Sequence, residues 1–185
     1  MSIEHEPAPT YTTREPVVAD VPEIRAVHAA SWIAAYPNEA EGVSYEWVKE
    51  RTDSWLLPET LARSAGYLEA IFTDQQQFYR LGTKDEKIVG FIHGSTKEDG
   101  SKYLEALYTS PETFGTGLGN QLFDEFDTWI GNEAASLEVT AYNDRAIRFY
   151  EKRGFKKLDG SEAMFADIMP TFIMVREANS KVTTE

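Results

Sequence analysis

The spacing of apolar residues changes period along the chain, and each change marks a change of element. "YTTRE" at residues 11–15 reads as a short first strand that ends near Pro16. Ile24, Val27, Ser31 and Ala34 then recur at helical spacing, with Trp32 and Tyr36 towards the far end. Asp20 with Glu23 three residues on predicts a capping box at the start of this helix, Pro22 suits its first turn, and Pro37 predicts its end. Two more helical patterns follow: Tyr45, Val48 and Trp55 after Ser44, and Leu61, Ala65, Leu68 and Phe72 after Pro58. Beyond residue 74 the pattern turns β-rich. "QFYRLGT", "KIVGFIHGS" and "KYLEALYTS", separated by "KDE" and "KEDG", predict a meander of hairpins. A helix from Gly117 to about Ile130 follows, with Leu118, Leu122, Phe126, Trp129 and Ile130 on one face and Asp124, Glu125 and Asp127 on the other. "SLEVTAY" is again a strand. Asn143 to Arg153 is a helix capped by Asn143 and ended by Gly154, and strands near Phe155–Asp159 and Thr171–Arg176 close the chain. The order β-ααα-βββ-α-β-α-ββ predicts an α/β fold with a mixed sheet of about seven strands.

Composition narrows the function without choosing it. At 185 residues the chain predicts one domain over 11–177, a flexible leader over 1–10 and a polar tail over 178–185. Eighteen Lys and Arg against 31 Asp and Glu give a formal charge of −13. That balance argues against nucleic acid, whose phosphates need cationic contacts, and favours cationic partners. With no cysteine there is no disulfide, no thiolate nucleophile and no Cys-based zinc site, and the three scattered histidines predict no metal centre. No apolar stretch approaches the length of a membrane span, and "MSIEHEPAPTYTT" lacks the basic start and apolar run of a secretion signal. The expectation is a soluble cytoplasmic protein with no membrane partner.

Two stretches carry chemistry. The glycines of "FGTGLGNQ", placed after a strand and opening a helix, let main-chain N–H groups approach an anion at the helix's positive end. The turn is not a P-loop, because no Lys-Ser or Lys-Thr follows its last glycine, and it misses the dinucleotide fingerprint at Asn120. About two dozen residues later, "LEVTAYNDRAIRFYEKRGF" puts Asn143 and Tyr150 on a short helix. On spacing alone, Tyr150 is either a packed core aromatic or a phenol serving chemistry. Asn143 is a helix cap that can also contact a ligand.

Together, "PExxGxGxG" from Pro111 and "LxVxxxNxxAxxFYxKxGF" from Leu137 resemble the GCN5-related N-acetyltransferase family, and the resemblance spans roughly Tyr11 to Arg176. It implies a mostly antiparallel twisted sheet flanked by helices, with a splayed parallel pair at 103–109 and 137–142. The resemblance further implies acetyl-CoA as co-substrate and no metal. Its pantetheine arm would add to the backbone of Leu107, Tyr108 and Thr109 as an extra strand. A bulge there would aim an N–H at the thioester carbonyl. Gly115, Thr116, Gly117, Leu118, Gly119 and Asn120 would hold the diphosphate, and Asn143 and Ala146 would contact the cofactor. Tyr150 would protonate the departing thiolate, since a phenol with a pKa near 10 stays neutral at pH 7. The general base is Glu105, on the face of Leu107 if the strand is regular, or His93. Trp32 and Tyr36, with Tyr45 and Trp47 nearby, would form the acceptor pocket and hold a cationic amine by cation–π contact. One departure stands out: the family's Gln or Arg before the first glycine of the turn is Phe114 here. The expected reaction is acetyl transfer to the primary amine of a small basic metabolite such as a polyamine. The alternatives are a protein N-terminal or lysine acetyltransferase and a non-catalytic acyl-CoA-binding module. The family also leaves room for a homodimer.

Overall fold

The computed structural model describes residues 9–178; most of the expected leader and all but the first residue of the expected tail lie outside them, as does His5. A single open sheet is built from β1 (Thr12–Arg14), β2 (Gln77–Lys84), β3 (Lys87–Thr96), β4 (Lys102–Thr109), β5 (Ala135–Thr140), β6 (Lys156–Lys157), β7 (Ala163–Phe165) and β8 (Met169–Arg176). Its strand order is β1-β2-β3-β4-β5-β8-β6, with β7 also paired to β8. Every pairing is antiparallel except β4 with β5. The sheet thus has eight strands where the pattern predicted about seven; the addition is β7, which forms a hairpin with β8.

Helices cover both faces. On one side α4 (Leu118–Ile130) and α5 (Asp144–Glu151) pack Phe123, Phe126 and Tyr150 against Leu104, Leu137, Val139 and Met174. On the other, α1 (Val21–Ala35) and α3 (Pro58–Thr73) bury Ile24, Val27, Leu68 and Ile71 against Tyr79, Leu81 and Phe91. A third cluster, around Trp32, Val43, Val48 and Met169, ties α1 and α2 (Tyr45–Trp55) to the β7–β8 hairpin. The ends follow local chemistry. Ser44 caps α2 by accepting from Trp47 N, and Asn143 caps α5 by accepting from Ala146 N at 3.1 Å. The capping box expected at α1 does not form. The Asp20 carboxylate instead takes a two-pronged bond from Arg14 (2.7 and 2.8 Å) and the Val17 N–H, while Glu23 accepts from Ile88 N.

The sheet also fixes where α4 begins. Leu118, its first residue, is fully buried and nests against Gly82 of β2 and Gly90 of β3. A Cβ at Gly82 would stand 2.5 Å from Leu118 Cδ1, and one at Gly90 would stand 3.0 Å from Cδ2, so the leucine has nowhere to turn. Gly82→Ala is therefore expected to cost about 1–3 kcal/mol by overpacking. Because the displaced leucine carries the glycine turn with it, the KM for acetyl-CoA should rise severalfold while the acceptor KM stays put. Denaturant titration and paired KM measurements check this.

Candidate active site

The central feature is where β4 and β5 part. They pair in parallel only through Lys102–Ala135, Tyr103–Ser136 and Leu104–Leu137; beyond that point β4 remains bonded to β3 and β5 to β8. Each strand therefore turns an unpaired edge towards the other, and these N–H and C=O groups need an extended partner. A cleft of about 470 Å³ fills the gap and runs to the glycine turn. Gly115 (φ +77°) and Gly117 (φ +99°) adopt left-handed backbone that favours glycine, and Gly117 leads into the first turn of α4. No Cβ projects from them into the cleft, so the main chain of the turn lines it directly, although the Thr116 N–H is spent within the turn on Thr113 O.

A register shift between His93 and Gly94 pairs His93 with Ala106 and Gly94 with Leu104, leaving Glu105 as the extra residue of a β-bulge in β4. The bulge lies at Glu105, ahead of the Leu107–Thr109 stretch expected to hold it, and it corrects the expected facing of Glu105. Leu104 and Leu107 point towards α4, whereas Ala106 and Tyr108 point towards α1. Glu105 is exposed on the α1 side, accepting from Ser95 Oγ at 2.7 Å, rather than sharing a face with Leu107.

Phenols gather at the mouth of the gap. Tyr150 is buried at the end of α5 yet lines the cleft, and its pKa is raised above the ordinary tyrosine value by burial and then by the neighbouring Tyr108. Tyr36 and Tyr108 hydroxyls lie 3.3 Å apart, both raised chiefly by desolvation, and Tyr142 donates to the Tyr36 carbonyl at 2.6 Å. Among the described residues no hydrogen bond engages the Tyr150 hydroxyl. Asn143 spends its side-chain oxygen on the cap, which leaves its amide N–H groups free on the cleft wall.

This arrangement coincides with the sequence comparison: the acetyltransferase (GNAT) family model matches residues 23–155, well over half of the chain. The chain belongs to the acetyltransferase (GNAT) family. It is similar to an uncharacterized N-acetyltransferase of Mycobacterium tuberculosis, 30% identical over 165 residues that cover 86% of this chain and 99% of the relative. The Mycobacterium bovis counterpart gives the same figures. Among solved structures, the PaiA N-acetyltransferase of Thermoplasma acidophilum in complex with coenzyme A has the same fold, with a TM-score of 0.70. It is 22% identical, with 91% of this chain and 99% of that one covered. The ribosomal-protein-S18-alanine N-acetyltransferase of Escherichia coli also shares the fold, with a TM-score of 0.62, 19% identity and coverage of 95% and 99%. As a GNAT member the chain is an acetyl-CoA-dependent N-acetyltransferase.

Within this GNAT fold, the cleft gathers Glu105, Leu107, Tyr108, Thr109, Asn120, Asn143, Ala146 and Tyr150, with Gly115, Gly117 and Gly119 of the turn. Thr116 and Leu118 contribute no side chain to it. Thr116 donates to Thr113 O and bonds the Tyr11 hydroxyl, and Leu118 is core. Of the two expected acceptor-pocket residues, Tyr36 lines the cleft and Trp32 does not. Trp32 is buried in the third cluster, and the chain's own Arg51 guanidinium lies over Trp32, Trp47 and Phe165 at 6.0, 5.6 and 4.8 Å. That aromatic cage already holds a cation. His93 stacks on Tyr79 and donates to Gln77 Oε1 at 2.8 Å, outside the cleft lining.

One cleft residue escaped the motif reading. Glu138 of β5 alternates outward between core residues Leu137 and Val139, accepts from Thr171 Oγ1 at 2.5 Å, and lines the cleft with Glu105. Tyr103 senses both: burial first, then the charges of Glu138 and Glu105, push its phenol up to about 12. The alternation of "SLEVT" held that signal, since a lone carboxylate between core residues of a strand must face the other side. No helix among the described residues is long and apolar enough to cross a membrane.

Proposed function

We propose that the chain transfers the acetyl group of acetyl-CoA directly to the primary amine of a small basic metabolite such as a polyamine. The observation that carries this is the carboxylate pair Glu105 and Glu138 at the base of the β4–β5 gap, in a protein of charge −13. The Arg51-filled cage leaves the acceptor's ammonium to these carboxylates rather than to Trp32. In this reading the edges of β4 and β5 hold the pantetheine arm, the N–H at the Glu105 bulge meets the thioester carbonyl, and the turn from Gly115 to Asn120 offers the diphosphate its main-chain amides other than that of Thr116, which bonds Thr113 O. Asn143 and Ala146 contact the arm. Glu105 takes a proton from the acceptor's ammonium, and Tyr150 returns one to the leaving sulfur. Acetyl-CoA supplies the activated acyl group; the protein contributes positioning and charge placement.

The test is a screen of acetyl-CoA consumption across polyamines, amino acids, aminoglycosides and short peptides. Turnover is expected with polyamines or comparable amines. Turnover confined to peptides would transfer the reading to protein acetylation, and cofactor binding with no turnover would make the chain an acyl-CoA-binding module. On the accepted amine, Glu138→Gln should raise the acceptor KM about tenfold, the scale of one charge-assisted hydrogen bond, with the acetyl-CoA KM unchanged. Glu105→Gln should lower kcat.

A further inference from the structure

The side wall of the glycine turn holds an arginine with no evident structural employment. Arg145, in the first turn of α5, lies over the ring of Phe114, its guanidinium carbon 3.6 Å from the ring centroid, and both residues line the cleft beside Gly115 and Gly117. Three nearby or sheet-borne arginines are ion-paired: Arg148 with Asp144, Arg80 with Glu125 and Arg176 with Asp127. Arg153, one turn beyond Phe149, stacks on that ring and donates to Asn120 Oδ1. Among the described residues, no carboxylate forms an ion pair with Arg145. Arg51 is likewise without an ion pair among the described residues, but it is enclosed by Trp32, Trp47 and Phe165 away from the cleft, whereas Arg145 lines the cleft and can meet a ligand there. Stacking occupies the face of the guanidinium and leaves its N–H edge free, the geometry that takes a phosphate in two-pronged fashion. Gly115, Gly117 and Gly119 of the turn line the same space.

We infer that Arg145 is the side-chain cation of the diphosphate subsite, and that Phe114 is its platform: the aromatic ring at 114 orients a charge delivered from α5. This rests on the reading of the cleft as the cofactor site. It makes Arg145 a specificity residue, one that favours acyl donors carrying phosphate over donors carrying the thioester arm alone. It also assigns a purpose to Phe114, which brings no charge of its own to the turn.

The experiment compares acetyl-CoA with acetyl-pantetheine, which has the same thioester and no phosphate, as donors for the wild type and variants. Arg145→Ala should weaken acetyl-CoA affinity by tenfold or more at low salt and leave kcat/KM for acetyl-pantetheine unchanged. Arg145→Lys should recover only part of the loss, because an ammonium has no planar face to offer the ring. Phe114→Arg in the Arg145→Ala background should restore discrimination by placing a cation on the turn itself. Unchanged acetyl-CoA affinity in Arg145→Ala, or equal losses for both donors, would overturn the inference. A wild type that uses both donors equally well would instead overturn the diphosphate reading of the cleft, and this inference with it.

Discussion

Tyr150→Phe is expected to lower kcat by about 10²-fold or more, the contribution of a well-placed general acid, with the acetyl-CoA KM nearly unchanged. The substitution is clean because the hydroxyl bonds no described residue, so its removal orphans nothing. The ring stays packed among Phe123, Phe149 and Phe155. The loss therefore falls on the chemical step rather than on folding or cofactor binding. Burial raises the phenol's pKa, so it holds its proton throughout the neutral and mildly alkaline range. The wild type should show no alkaline loss of kcat traceable to this residue between about pH 7 and 9. Steady-state kinetics with thiol detection, beside calorimetric binding of coenzyme A, separates the two quantities. A kcat within twofold of wild type would remove Tyr150 from the chemistry and leave it a core aromatic.

The same residue shows why parts of the site were legible in sequence. Its burial and its cleft exposure come from one feature, a helix placed by the Asn143 cap and ended at Gly154, and both signals are local. The glycine turn was legible for a similar reason, since positive φ at Gly115 and Gly117 is a property of single residues. The order of elements along the chain followed from periodicity, and the parting parallel pair from family likeness. What was not legible depends on partners distant in sequence. The facing of Glu105 was set by a bulge opposite His93 and Gly94, and no residue in "KYLEALYTS" announces one. The β7–β8 hairpin turns at Ala166 (φ +52°) and Asp167 (φ +58°), a pair without the glycine or asparagine that normally marks such a bend. Trp32 has helical spacing and the right neighbourhood for an acceptor pocket. Only Arg51, one helix away, shows that the cage around it is already filled. The Asp20 cap failed because Arg14, on a different element, competed for its carboxylate.

Acid is expected to destabilise this protein steeply through two histidines that the site does not use. His28 lies between Trp55 and Tyr108, with centroids at 4.5 and 4.4 Å, its buried Nε2 without a hydrogen-bond partner among the described residues. Burial first, then Arg25 on its own helix, lowers its pKa to about 3. Burial lowers His93 to about 4. Unfolded, each takes up a proton near pH 6.5. Above that value both states are neutral and neither residue costs anything. Between 6.5 and the folded value, only the unfolded chain binds the proton, so stability falls by about 1.4 kcal/mol per pH unit for each histidine. From pH 7 to pH 5 the loss should be about 2 kcal/mol each, or about 4 kcal/mol together. That window lies above the carboxylate range, where Asp20, held low by Arg14, adds its own acid penalty. Denaturant titrations at pH 7 and pH 5 measure the difference. His28→Phe keeps an aromatic ring between Trp55 and Tyr108 and removes the titrating group, so it should roughly halve the pH dependence even if it shifts stability at pH 7. His93→Gln should remove most of the rest. A pH dependence that survives both substitutions would place the acid-sensitive protons elsewhere in the chain.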